Sequence, residues 1–185
     1  MLRRCLAILL LMMAGGVVAD EHVRICHAYG CLVEADIVYG EPALRDIGKM
    51  LAVAVDAQNE REILALAIGR MYAIAGEQSD IHNDRGGNYA DANTPGRMDC
   101  IDHSTSTTRL LKLLAARGYL RWHQVLAADV RYFALLFPSH YSAVIEETRD
   151  GEAPRFVVDS WFVDNGQPAV ILPLGEWKKG AGPDV

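Results

Sequence analysis

The sequence predicts an α+β fold, with N-terminal helices packed on a C-terminal antiparallel β-sheet. Two observations carry this. Between residues 41 and 118 apolar side chains recur at helical spacing, and from Tyr119 onward the chain becomes rich in β-branched and aromatic residues separated by turn signals. A third observation bounds it: 185 residues, 51% of them hydrophobic, suffice for one core, and no internal repeat or low-complexity tract is evident.

The first residues stand outside that core. Arg3 and Arg4 precede the apolar run Cys5 to Val18, and Val17-Val18-Ala19 is a small-residue cleavage signature before Asp20. The pattern is that of a signal peptide over residues 1–19, followed by a single domain over 20–185. No later run approaches the roughly 20 apolar residues that a spanning helix needs. The expectation is a periplasmic or secreted protein with no stable membrane insertion, an uncleaved anchor being the lesser alternative. Loss of Arg3 and Arg4 takes the formal charge from −6 to −8. An acidic chain with no Lys/Arg cluster excludes itself from nucleic acid and anionic membranes as partners.

Residues 20–40 read as a short extended entry segment pinned by the loop between Cys26 and Cys31. Glu41-Pro42 opens a helix to about Ala57, with proline at its start. Asn59 is the expected N-cap of a second helix, about Glu60 to Ala75, ended by Gly76. Its Ile63, Leu64, Leu66, Ala67, Ile68, Met71 and Tyr72 form a core stripe. From Glu77 to Asp99 the periodicity stops, and a polar loop of this length is read as a wall of an active cleft. Asp80, Asn83, Asp84 and Asn88 are calcium-type ligands, but the sixth position counted from Asp80 is Arg85, where an EF-hand requires glycine.

A third helix follows from Cys100, with Leu110, Leu111, Leu113, Leu114 and Ala115 as its apolar stripe. Asp99, Asp102 or Ser104 can cap it, and Gly118 is its stop. Tyr119 to Val125 and Arg131 to Phe137 are β-rich. Ser139 to Glu147 reads as a strand, Thr148 to Pro154 as a turn around Asp150-Gly151, and Arg155 to Phe162 as the return strand. A second turn at Asp164-Asn165-Gly166 leads to an edge strand, Val170 to Leu174, broken by Pro173. The tail from Lys178 looks loose.

The cysteine count is informative. Residues 20–185 carry Cys26, Cys31 and Cys100, so in an oxidising compartment one thiol is left over. Cys26 and Cys31 flank the tight loop His27-Ala28-Tyr29-Gly30 and are the favoured pair, which leaves Cys100 free. The alternative is that Cys100 pairs with one of them. A thiol in the first turn of a helix meets unpaired N–H groups and the positive end of the helix dipole, both of which favour thiolate. With Asp150-Gly151 as turn residues, His140 faces Trp161; a one-residue shift puts it opposite Asp159. Either register leaves His140 and Asp159 on one sheet face, where a carboxylate fixes the imidazole tautomer. Packing of the Cys100 helix on that face would align thiol, imidazole and carboxylate.

Rival readings of the same residues exist. His103 lies one turn after Cys100 and competes as its base. Asp99, Cys100, Asp102, His103 and His82 could gather around zinc or copper, though they lack a paired ligand spacing. The Ser/Thr run over 104–108 is a polar first turn and lacks the Gly-Lys pattern of a phosphate cradle. Trp161 and Trp122 suit core or cleft walls.

Asp99-Cys100 opening a helix, His140 starting a strand, and Val157-Val158-Asp159-Ser160-Trp161 on the next strand together resemble the transglutaminase-like superfamily of cysteine enzymes, with its papain-like core. The resemblance covers about residues 60–165. It implies that Cys100 is the nucleophile, His140 the base and Asp159 the orienter. It also implies acyl transfer through a thioester on peptide or carboxamide bonds of a protein or peptide substrate, with no cofactor and no metal. Trp161 and Tyr141 are then the candidates for substrate contact, and the N–H of Cys100 is one oxyanion donor. Tyr141-Ser142 after His140 departs from the small residue and aromatic that family members often carry there, and no side chain matches a second oxyanion donor. The alternative function is a catalytically inactive envelope protein that uses the same fold for binding or assembly.

Overall fold

The computed structural model describes residues 19–132, 139–149 and 151–184. The signal peptide expected over 1–19, the end of the expected strand at Phe137, and Asp150 of the expected turn lie outside these residues, Ala19 excepted. The order is β1 (Glu21–His27), β2 (Val33–Tyr39), α1 (Glu41–Ala52), α2 (Ala57–Gly76), a 3-10 turn (Asp80–Asn83), α3 (Cys100–Ala116), β3 (His123–Val125), β4 (Asp129–Arg131), β5 (His140–Glu147), β6 (Arg155–Asp159), β7 (Val170–Pro173) and α4 (Leu174–Lys178). The fold is mixed α+β with antiparallel sheets.

The chain departs from the sequence reading first at its N-terminus. The expected entry segment is a regular hairpin, paired from Glu21↔Tyr39 to His27↔Val33. Val23 and Ile25 on one strand and Ile37 and Tyr39 on the other are buried at alternate positions, the two-residue period of a half-buried sheet. The hairpin lies against α3, where Ser106 Oγ accepts the N–H of Cys26 at 2.9 Å.

Helix α1 ends at Ala52 instead of Ala57. Val53 and Val55 are exposed and β-branched, poor material for extending a helix. Asp56 then caps α2 by accepting the N–H of Asn59 at 2.8 Å, so Asn59 receives the cap it was expected to provide. Helix α3 ends at Ala116, and Gly118 takes the left-handed conformation (φ +69°) two residues later. The edge strand ends at Pro173, and between it and the tail expected from Lys178 lies α4, whose Trp177 is fully buried.

The main sheet runs β3-β5-β6-β7, and β4 pairs with the other end of β5. Thus β3 (His123↔Glu147) and β4 (Arg131↔His140) are successive pieces along one side of β5. Between β5 and β6 the pairs run from Ala143↔Val158 to Glu146↔Arg155. This is the register centred on Asp150-Gly151, with β5 ending at Glu147 and β6 starting at Arg155 as the expected turn over 148–154 requires. Ala143, Ile145 and Val158 join the main core with Leu110, Leu111 and Leu114 of α3. Val144 and Val157 face the opposite way and pack with Trp177.

A buried ionic group ties α2 to the sheet. Glu60 Oε1 accepts the N–H of Arg121 (2.6 Å), while Oε2 accepts that of Trp122 (3.1 Å) and meets His123 Nδ1 at 2.7 Å. Arg61 Nη1 lies 3.2 Å from His123 Nε2 and 2.6 Å from Glu147 Oε1. Arginine only donates, so Nε2 accepts and Nδ1–H points at Glu60. Burial pushes the Glu60 carboxyl up, but its hydrogen bonds from His123, Arg121 and Trp122 outweigh burial and hold it below its usual range. A depressed carboxyl stabilises the fold above its unfolded pKa and loses that stabilisation as pH falls through the folded one. Glu60→Gln is expected to cost roughly 2–4 kcal/mol in urea denaturation at pH 7, with the gap to wild type closing in acid. A loss below about 0.5 kcal/mol would mean that the group is not holding α2.

Candidate active site

The site is built on the first turn of α3. Asp99 is its N-cap: Oδ1 accepts the N–H of Ile101 (3.0 Å) and Asp102 (2.9 Å), and Asp102 Oδ2 accepts the N–H of Asp99 (3.1 Å). This is a reciprocal capping box with aspartate at both ends. The same carboxylates also hold the β1–β2 loop. Asp102 accepts the N–H of Tyr29 at Oδ2 (2.8 Å) and of Cys31 at Oδ1 (2.6 Å), Asp99 Oδ2 accepts that of Gly30 (2.9 Å), and Arg97 O accepts that of Ala28 (2.8 Å).

Ala28, Tyr29, Gly30 and Cys31 all have φ between 58° and 67°. The left-handed conformation costs about 1–2 kcal/mol per non-glycine residue, so the loop persists only because its N–H groups are captured and its ends are joined. The Cys26–Cys31 disulfide joins them, and Cys100 is the free cysteine.

Burial pushes the Asp102 carboxyl up to about 6; the charge of Asp99 adds to this, and the N–H groups of Asp99, Cys31 and Tyr29 oppose it. Between the ordinary unfolded value near 3.9 and about 6 the folded chain therefore binds the extra proton. This group's contribution to stability falls as pH rises through that window. Asp102→Asn removes the titration, so the stability of the variant relative to wild type should rise between pH 4 and 7 in chemical denaturation. A flat difference across that range contradicts the assignment.

Cys100 is the first residue of α3 and is half-buried. Its N–H has no partner within the helix. The thiol donates to the carbonyl oxygen of Ser139 at 3.8 Å, and the N–H of Tyr141 also approaches it. His140 Nε2 and Asp159 Oδ2 are 2.7 Å apart and buried. Asp159 further accepts the indole N–H of Trp177 at Oδ2 (3.0 Å) and the N–H of Trp161 at Oδ1 (3.3 Å). Three aromatic rings surround the imidazole: Trp161 at 4.9 Å, Phe162 at 5.5 Å and Trp177 at 5.7 Å. With Nε2–H given to Asp159, Nδ1 is the ring nitrogen left to take a proton.

Two expectations change here. By strand alternation His140 and Asp159 share the sheet face of Val144 and Val157, under Trp177, while α3 covers the other face. The thiol therefore lies beside Ser139 at the start of β5, lining the same cleft as His140, and not across a shared sheet face. Moreover, the thiol is not driven toward thiolate. Burial pushes it up, and the charges of Asp99 and Asp159 add to that, against the N–H groups of Tyr141 and Cys100.

Cys100 and His140 open on one cleft of about 930 Å³, lined also by Tyr29, Asn88, Tyr89, Asp99, Ile101, Ser139, Tyr141 and Trp161. The two candidates for substrate contact, Tyr141 and Trp161, are both on its wall. The 77–99 loop supplies Asn88 and Tyr89, whose ring packs tilted against Trp161 with centroids 4.8 Å apart. The loop is pinned by close backbone approaches. A Cβ on Gly96, where φ is +81°, would fall 1.8 Å from Asp80 O, and one on Gly86 would fall 2.4 Å from Phe162 O.

The rival base points elsewhere. His103 is buried, with Nδ1 2.9 Å from Ser160 Oγ and Nε2 3.0 Å from Asp84 Oδ2, the latter off the hydrogen-bond axis. Ser160 Oγ meets Thr107 Oγ1 at 2.8 Å, and Thr107 Oγ1 meets the Tyr72 hydroxyl at 2.9 Å. This polar chain joins α2, α3, the residue after β6 and the 77–99 loop beneath the cleft. The proposed zinc or copper set does not converge. Asp102 faces the loop N–H groups, His103 faces Ser160 and Asp84, and His82 Nδ1 meets Ser79 O at 2.9 Å. The Cys26, Cys31 and Glu34 side chains lie close together, with both sulfurs in the disulfide. Among the described residues no helix is long and apolar enough to cross a membrane.

Sequence reasoning missed Trp177 and Asp84. Trp177 sits in Leu174-Gly175-Glu176-Trp177, a short helix too small to show periodicity; its signal was an indole, which needs a partner when buried. Asp84 was weighed only as a calcium ligand, whereas it accepts the N–H of Met98 at 2.9 Å and faces His103. Compared with known proteins, the chain matches no family model, no curated protein and no solved structure.

Proposed function

We propose that this protein is a cysteine-dependent acyl-transfer enzyme, with Cys100 as nucleophile, His140 as general base and Asp159 as the group that orients it. More particularly, we infer a secreted or periplasmic hydrolase or acyltransferase of transglutaminase-like type, acting on peptide or carboxamide bonds. The observation that carries the reading is the buried His140–Asp159 hydrogen bond opening on the same cleft as the free thiol. The chain order and element types quoted above agree with it, and the Cys26–Cys31 disulfide suits an oxidising compartment.

The chemistry follows from the tautomer. Cys100 attacks the carbonyl while Nδ1 of His140 takes the thiol proton, and the imidazolium keeps Nε2–H on Asp159. The N–H of Cys100 stabilises the oxyanion. Asn88, whose Oδ1 accepts the N–H of Ala90 at 3.2 Å, offers its amide as the second donor. His140 then protonates the leaving amine, and water or a second amine releases the acyl group from the thioester. Because burial and two carboxylates raise the thiol, little thiolate exists at neutral pH without the base.

Acetylation of Cys100 by 4-nitrophenyl acetate, read as a nitrophenolate burst and by mass, tests this without a natural substrate. Cys100→Ser should abolish the burst. His140→Ala should slow it by roughly 10²- to 10⁴-fold at pH 7. The gap should narrow as pH rises and the thiol begins to ionise unaided. An equal burst rate in His140→Ala at pH 7 would sink the base assignment. The second reading, a non-catalytic binding protein, draws on the raised thiol and predicts that equality.

A further inference from the structure

We propose that Tyr29 is a substrate-contacting residue that sets binding in the cleft, and that the Cys26–Cys31 disulfide is what holds it there; this rests on the acyl-transfer reading above. Tyr29 belongs to the β1–β2 loop, remote in sequence from Cys100, yet its side chain lines the cleft with Cys100 and His140. It stands there by unusual means. All four loop residues from Ala28 to Cys31 are left-handed, three of them without the freedom of glycine. Each of their N–H groups is captured by a residue between Arg97 and Asp102. A loop with no task beyond linking two strands has two-residue turns of low cost open to it. Backbone held in a sparsely populated conformation marks a site where position matters.

The far end of Tyr29 is fixed as well. Its hydroxyl donates to Asp91 Oδ1 at 2.6 Å, and Asp91 Oδ2 pairs with Arg97 Nε at 2.8 Å. The ring is thus clamped at both ends, by the capping carboxylates at its backbone and by the 77–99 rim at its hydroxyl, and presents its side to the cleft. With Tyr89, Tyr141 and Trp161 it gives the cleft an aromatic wall, and among the described residues no Lys or Arg lines it. That wall suits a neutral acyl group flanked by an apolar or aromatic side chain. Opening the disulfide leaves the N–H captures to hold the left-handed run alone, and the ring loses its seat.

The test is saturable modification of Cys100 by benzyloxycarbonyl-Phe-Ala fluoromethyl ketone, followed by mass, with iodoacetamide as the probe that needs no cleft. In Tyr29→Ala the half-saturating concentration should rise about tenfold, with the limiting rate and the iodoacetamide rate changed less than about twofold. Cys26→Ser/Cys31→Ser, with Tyr29 intact, should show the same rise. An unchanged half-saturating concentration in Tyr29→Ala overturns the proposal. Wild-type affinity in the double serine variant overturns the role of the disulfide, as does global unfolding of that variant, which would make the bond a stabiliser of the whole fold. Non-saturable modification of wild type at a rate equal to that of His140→Ala removes the acyl-transfer reading, and this inference with it.

Discussion

The arrangement depends on two carboxylates at the start of α3. Asp99 and Asp102 between them accept N–H groups from their own first turn and from Tyr29, Gly30 and Cys31. A buried carboxylate needs such partners, since leaving one unmatched costs several kcal/mol (~1–3 for a neutral group, more for a charge). Here the helix end and the hairpin loop supply them together. The first strand pair is thereby locked to the element that carries the free thiol, and the loop adopts a conformation it would not choose alone.

Burial dominates the electrostatics of the thiol, and Asp99 adds to it. A helix N-terminus contributes about half a positive charge, worth roughly 0.3–1 kcal/mol at an exposed site. Against this stand burial and the charges of Asp99 and Asp159, and they win. The dipole at the start of α3 is met by the Asp99 carboxylate that caps it. A good N-cap consumes the field that an anion at that position would otherwise feel.

How much was legible follows from range. Helices α2 and α3 show themselves through local periodicity, and the β5–β6 register follows from one turn and the alternation of His140 with Asp159. Spacing favours the Cys26–Cys31 pairing but leaves Cys100 as a rival partner, and the structure joins Cys26 to Cys31. What was illegible is what needs three dimensions. The hairpin at 21–39 reads as mere extended chain because its short strands flank a loop with no standard turn residues at its left-handed positions apart from Gly30. Asp102 looks like one of three interchangeable caps until Tyr29 and Cys31 arrive beside it. His103 rivals His140 as a base in sequence, where only the facing Asp159 favours the latter, until Ser160 and Asp84 claim His103. Which sheet face α3 covers depends on the parity of Ala143 and Val144 against Leu110 and Trp177, and no local signal fixes that.

Trp177 has a temporal consequence. Its indole is a hydrogen-bond partner of Asp159 and part of the aromatic cage around His140, yet it comes eight residues from the end of the chain. Helix α3, which carries the free thiol, ends some sixty residues before Trp177. A chain emerging from the ribosome, or threading through a pore, thus carries the thiol long before the carboxylate beneath the imidazole is sealed from water. Helix α4 follows every other element around the His140–Asp159 pair in chain order, so that pair is sealed last.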